Sequence, residues 1–160
     1  MKNIKLIRHA KSESQNFVSD FDRNLIKKGI DDSNKMGVVT SNLLLNSELF
    51  YCSPAKRTIE TAKIFLKNWN LSLDNLKIID QLYAFSLSNL EATVKLTPNL
   101  FDNLILFGHN NAITDFVNKF GDIYLDNVPT SGFVSITFEV DNWKDINKGT
   151  TDKIVFPSHI

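Results

Sequence analysis

The chain is poor in the features that would assign it to a specialised class. It has a single cysteine, Cys52, so no internal disulfide can form. It has no excess of either charge: Lys plus Arg and Asp plus Glu number 18 each. A balanced chain offers no broad electrostatic footprint for nucleic acid or an acidic membrane, so any anion it binds must be held by a local cluster. No apolar run is long enough to span a bilayer. The first residues, MKNIKLIRHAKS, lack the apolar stretch of a signal peptide, which makes a reducing cytoplasm the expectation. There are no repeats, low-complexity segments or linkers. What remains is an ordinary composition, 42% hydrophobic and 22% charged, over 160 residues, enough for one domain with a real core, taken as residues 1–160.

The order of elements is more informative. Ile4 to Ile7 reads as a strand ending abruptly at Arg8-His9. A helix is expected from about Lys27 to Leu45, with Ile30, Gly37 and Leu44 at helical spacing and Gly37 marking close packing. Leu49 to Cys52 reads as a second strand. Ser53-Pro54 then reads as a helix start, with Ser as N-cap and Pro in the first turn, and Ile59, Ala62, Leu66 and Trp69 share one face. Lys77 to Ile79 suits a short third strand, and Leu87, Leu90 and Val94 a short helix. Leu104 to Phe107 is apolar throughout, as a central parallel strand should be, and ends at Gly108-His109. Asn110 or Asn111 can cap the following helix, whose buried face is Ile113, Phe116, Val117 and Phe120. Val134, Ile136, Phe138 and Val140 alternate with Ser135, Thr137 and Glu139, the period of a half-exposed strand, and Lys153 to Phe156 can pair with it. These elements predict an α/β fold: three layers, α/β/α, around a mainly parallel sheet with an antiparallel edge.

Three strand ends carry the chemistry. Ligands of open parallel sheets bind beyond the carboxyl ends of the strands. If the first, second and fourth strands are neighbours, Arg8, His9, Arg57 and His109 converge there, together with two helix N-termini that favour anions. Arg57 is expected about one turn into its helix. Two guanidiniums match phosphate oxygens through their planar forks. Cys52 is not a nucleophile. Four residues separate it from Arg57, whereas cysteine-dependent phosphatases place five between the two, and a thiol within a strand is usually buried and inert.

Leu6-Ile7-Arg8-His9-Ala10-Lys11-Ser12, Ser53-Pro54-Ala55-Lys56-Arg57-Thr58 and Phe107-Gly108-His109-Asn110 resemble the three signatures of the histidine phosphatase superfamily, which includes the phosphoglycerate mutases. Asp20-Phe21-Asp22-Arg23-Asn24-Leu25, Leu82-Tyr83 and Val128-Pro129-Thr130 resemble its small SixA-type phosphohistidine phosphatases. The resemblance implies a phosphoglycerate mutase-like fold and a metal-independent, cofactor-free hydrolysis. In it, neutral His9 takes the phosphoryl group while Arg8, Arg57 and a protonated His109 surround its oxygens. Ala10 replaces a common Gly. No carboxylate stands at Gln81 to Ser86, near where the superfamily's general acid is expected, and Asp22 is the substitute. An acid-poor pocket without an evident lid fits a phosphorylated protein, with the protonated imidazole of phosphohistidine as the leaving group. The alternatives are a small-molecule phosphomonoesterase of the same superfamily and a non-catalytic phosphate-binding module. Neither a nucleic acid nor a membrane is expected as a partner.

Overall fold

The computed structural model describes residues 1–14, 18–46 and 48–160. Six strands form one sheet: β1 (Lys2–Arg8), β2 (Glu48–Cys52), β3 (Leu76–Ile78), β4 (Asn103–Gly108), β5 (Phe133–Phe138) and β6 (Thr150–Val155), in the order β3-β2-β4-β1-β5-β6. The first four in that order run parallel, and β5 and β6 add an antiparallel edge. Helices α1 (Lys27–Thr40) and α2 (Lys56–Asn68) pack together, as do α3 (Leu87–Lys95) and α4 (Ala112–Phe120). Two apolar cores result. Phe65, Leu66 and Trp69 of α2 meet Ile7, Cys52, Ile105 and Phe107 in one, and Ile113, Phe116, Val117 and Phe120 of α4 meet Ile4, Leu6, Leu104 and Leu106 in the other. Successive residues of β4 supply opposite cores, which is why it reads as an unbroken apolar run, while in β1 Ile4 and Leu6 face one core and Ile7 the other. This is the expected α/β/α arrangement. Among the described residues no helix is long and apolar enough to cross a membrane.

Three local readings need correction. First, α1 ends at Thr40, followed by a 3-10 turn over Ser41–Leu43, and its buried face is Gly29, Ser33, Met36, Gly37 and Thr40. Ile30 is exposed and Leu44 lies beyond the helix. The face is built of small residues because α2 and the β1 exit come too close for larger ones. A Cβ on Gly37 would stand 2.8 Å from Asn68 Cβ, and one on Gly29 would stand 2.2 Å from the Lys11 carbonyl oxygen. Second, α2 starts at Lys56 with Ala55 as its N-cap, so Arg57 is its second residue and not one turn in. Ser53 does not cap it. Its hydroxyl accepts from the Ala55 amide at 3.2 Å and bonds His109 instead. Third, β5 is not half-exposed. It lies between β1 and β6, and Asn3 of β1 donates to Ser135 Oγ and Thr137 Oγ1, both at 3.0 Å, so its polar face is bonded within the protein. Val140 falls outside the strand.

Gly37 sets how closely α1 approaches α2. Gly37→Val should overpack that contact and lower unfolding free energy by about 1–3 kcal/mol. Urea denaturation checks this, and an unchanged midpoint would show that the helices have room to move apart.

Candidate active site

The strand order puts β4 between β1 and β2. The residues after all three strands are therefore neighbours: Arg8 lies beside Gly108 in the ladder, and Cys52 lies beside Phe107. The pairing continues past the strand ends, with the His9 amide donating to the Gly108 carbonyl at 3.0 Å and the Ser53 amide to that of Phe107 at 3.2 Å. Further bonds fix the β1 exit. The Ser131 amide donates to the carbonyls of Arg8 and His9 at 3.1 and 3.2 Å, and the Ala10 amide donates to Thr61 Oγ1 at 2.8 Å. All four expected residues, Arg8, His9, Arg57 and His109, line one cavity of about 300 Å³.

The tautomers follow from the partners. His9 Nδ1 lies 2.8 Å from the Ala10 carbonyl oxygen, which can only accept, so Nδ1 carries the proton. Nε2 is left with its lone pair and accepts from Arg57 Nε at 3.3 Å. His109 is the mirror case. Arg57 Nη2 can only donate, and it lies 3.3 Å from His109 Nδ1, so Nδ1 accepts and Nε2–H donates to Ser53 Oγ at 2.7 Å. The two rings stand 5.3 Å apart between centroids.

Arg57 is only 1% exposed, and each of its three nitrogens has a partner. Besides the two histidines, Nη1 donates to the Asp20 carbonyl oxygen at 2.6 Å and Nη2 to Asp20 Oδ2 at 3.1 Å. Arg8 is anchored by Nη1 on the Val128 carbonyl at 2.9 Å, while its buried Nε has no partner.

Burial holds both imidazoles neutral. It lowers His9 from 6.5 to about 4, with the Ala10 carbonyl opposing and Arg57, Arg8 and Arg23 adding to the effect. It lowers His109 from 6.5 to about 3, with further lowering by His9 and Arg57 and an opposing pull from Asp20. The expected imidazolium at His109 is therefore absent from the unliganded site.

The acidic candidate on the early loop is also corrected. Asp22 is exposed and accepts from Ser19 Oγ at 2.7 Å, whereas Asp20, two residues earlier, lines the cavity. Asp20 Oδ1 accepts from Arg23 Nη2 at 3.0 Å, and Oδ2 accepts from Tyr83 Oη at 2.5 Å. A 3-10 turn over Asp20–Asp22 puts Asp20 and Arg23 on one side and Asp22 on another. Sequence reasoning missed Asp20, Arg23, Lys11 and Phe85 as cavity residues. The three-residue spacing of Asp20 and Arg23 was the one available signal. The cavity thus holds four cationic side chains, Arg8, Lys11, Arg23 and Arg57, against the single carboxylate of Asp20. Such a lining suits a multiply charged anion.

Of the two candidate caps, Asn111 is the N-cap of α4 and caps it with no side-chain bond, while Asn110 supplies the side-chain acceptor to the first turn. Its Oδ1 accepts from the amide and hydroxyl of Thr114 at 3.0 and 2.8 Å, although it also reaches the cavity wall. Burial pushes the Cys52 thiol up, and its Sγ donates to the Ser53 carbonyl at 3.2 Å, so it is no nucleophile. Among the described residues no group of three or more His, Cys, Asp or Glu is placed to hold a metal ion.

A family model described as the histidine phosphatase superfamily (branch 1) matches residues 4–94. No curated protein matches significantly. Among solved structures, the protein histidine phosphatase SixA complexed with tungstate superposes with a TM-score of 0.81 at 19% identity, covering 98% of each chain. A Nakamurella multipartitia protein assigned as a phosphohistidine phosphatase SixA gives 0.79 at 20% identity, covering 98% of this chain and 96% of that one. A mycobacterial glucosyl-3-phosphoglycerate phosphatase gives 0.67 at 10% identity, covering 95% and 97%. At these identities the structural matches establish the fold.

The buried neutral histidines make stability depend on acidity. Unfolded, each binds a proton near pH 6.5; folded, His9 does so only near about 4 and His109 near about 3. Between those limits the unfolded chain holds more protons, so stability should fall as pH drops from about 6.5 toward about 4. The melting temperature should be lower at pH 5 than at pH 7, and the drop should shrink in a His9→Gln, His109→Gln double variant. An equal drop in that variant would place the linkage elsewhere.

Proposed function

Because the chain belongs to the histidine phosphatase superfamily, branch 1, and is a phosphatase by that membership, we propose that His9 Nε2 accepts the phosphoryl group of a phosphorylated protein in a metal-independent reaction. The observation that carries this reading is the His9 tautomer. The Ala10 carbonyl holds the proton on Nδ1, and the lone pair of Nε2 lies in the cavity among the guanidiniums. An imidazole that is neutral to about pH 4 needs no separate base to become a nucleophile at neutral pH.

In the first step, the Nε2–P bond forms as the bond from phosphorus to the ring nitrogen of the substrate phosphohistidine breaks, and the leaving imidazole departs neutral, keeping the proton already on its other nitrogen. In the second, the oxygen of water bonds to phosphorus, the Nε2–P bond breaks, and inorganic phosphate leaves. Phosphoryl transfer asks mainly for positioning and charge stabilisation. Arg57 turns its Nε from His9 to the incoming oxygens, and the free Arg8 Nε adds a second donor. The phosphate dianion also changes the balance at His109. Its charge opposes the repulsion from Arg57, so Nδ1 takes up a proton and becomes a donor to phosphate.

Residues 1–160 then act as one domain, and a cytoplasmic setting fits the free Cys52. The protein-phosphohistidine reading rests on what the site provides for the leaving group. Residues 81–88 carry no carboxylate. Asp20 is bound by two guanidiniums and a phenol, and Asp22 points elsewhere. An alkoxide would leave poorly from such a site, whereas a protonated imidazole leaves without help. The β3–α3 connection, residues 79–86, holds one 3-10 turn and is too short to close over the cavity. A small-molecule phosphomonoesterase is the second reading, favoured by the fold shared with the glucosyl-3-phosphoglycerate phosphatase.

Brief exposure to labelled phosphohistidine peptide should leave an acid-labile, base-stable phosphate on the protein, and His9→Ala should abolish both label and turnover. Arg8→Ala and Arg57→Ala should each lower kcat/KM by about a hundredfold or more, while EDTA should leave the rate intact. Full turnover by His9→Ala, or a strict magnesium requirement, would sink the mechanism. An alkyl phosphate hydrolysed as fast as the peptide would favour the small-molecule reading.

A further inference from the structure

Ten of the eleven side chains around the cavity are polar, charged or histidine; Phe85 alone is a hydrocarbon surface. It occupies the segment in which a general acid is expected, and the structure puts an aromatic ring there instead. Phe85 is 47% exposed and so contributes less to the core than a buried ring would. Its ring stands edge-on to His109, with centroids 5.1 Å apart and planes at 86°. Tyr83 stands edge-on to Phe85 at 5.5 Å, and Phe21, 40% exposed, stands edge-on to Tyr83 at 5.2 Å. Two half-exposed phenylalanines from loops about sixty residues apart in sequence are thus joined through one tyrosine.

This rim is tied to the cationic floor. The Tyr83 hydroxyl donates to Asp20 Oδ2 at 2.5 Å, and the same oxygen accepts from Arg57 Nη2 at 3.1 Å. The aromatic surface is therefore held in a defined position relative to the guanidinium that faces His9. A group bonded to a phosphoryl in the cradle has to lie against the cavity wall, and Phe85 is the part of that wall with no polar demand to meet.

We propose that Phe85, braced by Tyr83 and Phe21, forms a leaving-group subsite for a flat aromatic ring attached to the phosphoryl group either directly or through one oxygen. It rests on the phosphatase reading above and assigns the residue that makes the choice of substrate. Two protein side chains supply the shared chemistry, the imidazole of phosphohistidine and the phenol of phosphotyrosine. Aliphatic phosphates such as phosphoserine lack a ring face or edge to set against Phe85, and they forgo the geometric gain of an aromatic pair.

Non-hydrolysable phosphonates test binding apart from turnover. By calorimetry, phenylphosphonate should bind roughly three- to tenfold more tightly than cyclohexylphosphonate, which has similar bulk but no aromatic ring. Phe85→Leu should bring that ratio to about one, Phe85→Trp should keep it, and Phe21→Leu should reduce it partway. A wild-type ratio near one, or a preference that survives Phe85→Leu, would overturn the subsite. In turnover, kcat/KM for a phosphohistidine or a phosphotyrosine peptide should exceed that for a phosphoserine peptide, and the larger of the two names the source of the ring. A phosphoserine preference would overturn the proposal. A chain that prefers phenylphosphonate but turns over no phosphate would uphold the subsite and defeat the phosphatase mechanism.

Discussion

A guanidinium taken almost entirely out of water must be answered by acceptors on every side, and Arg57 meets that condition only because the β1 exit, the β4 exit and the early loop converge on it. Its acceptors are the lone pairs of His9 and His109, together with the carbonyl and carboxylate of Asp20. Remove any of them and a buried donor is stranded, which costs more than the lost bond itself returns. The rest of the site follows. His9 must be protonated on Nδ1 for Nε2 to accept, so the Ala10 carbonyl has to lie where it does. His109 must be protonated on Nε2, so Ser53 is drawn away from capping α2 and turned toward the imidazole. The early loop must bring Asp20 over the strand ends, which in turn places Arg23 and Tyr83.

That same network determines how protons are distributed. Burial and the surrounding cations keep two imidazoles neutral, which gives the site a nucleophile but no ready acid. Its one lining carboxylate serves as counter-ion to two guanidiniums. The site is built to accept negative charge and to stabilise it, not to donate a proton outward. On the proposed reading, a substrate that carries its own proton on the leaving group complements it better than an alcohol's phosphate ester. The aromatic rim supplies the same complementarity in shape.

The strand ends were legible in the sequence because their signals are local. An apolar run that stops at Arg8-His9 or Gly108-His109 announces both the strand and the residues exposed at its end. The convergence of Arg8, His9, Arg57 and His109 then needed only the neighbour relation that β4 supplies by inserting between β1 and β2. What was not legible depends on phase or on surroundings. Choosing Asp20 over Asp22 requires the turn of one 3-10 segment, which hydrophobic pattern does not record. The buried face of α1 is Gly29, Ser33, Met36, Gly37 and Thr40, so Met36 is its one large apolar residue and leaves no apolar stripe to detect, and exposed Ile30 misleads. The charge on His109 is set by desolvation, which appears only once the chain is folded. Ser53-Pro54 looked like a cap because the competing bond comes from a residue more than fifty positions away.

Strand β1 carries two buried lysines near its start and the half-buried Arg8 at its end, and the contrast shows what separates scaffold from site. Near its start, Lys2 donates to the carbonyls of Asn99 and Phe101 and to Asp102, and Lys5 donates to Asn3 and pairs with Glu48. These ammonium groups are met by fixed partners in the same chain, and their work is to hold the loop before β4 and the start of β2 against β1. At its end, Arg8 is tied by one nitrogen to Val128 while its Nε stays buried and unmatched. Arg23 across the cavity has the same unmatched Nε. Buried donors are nearly always satisfied in a native protein, so donors left over around one cavity mark where an outside acceptor belongs. Both cations of the scaffold end are matched within the fold; at the other end two guanidinium nitrogens are unmatched within it, and on the proposed reading the oxygens of a phosphoryl group complete a network that folding alone leaves open.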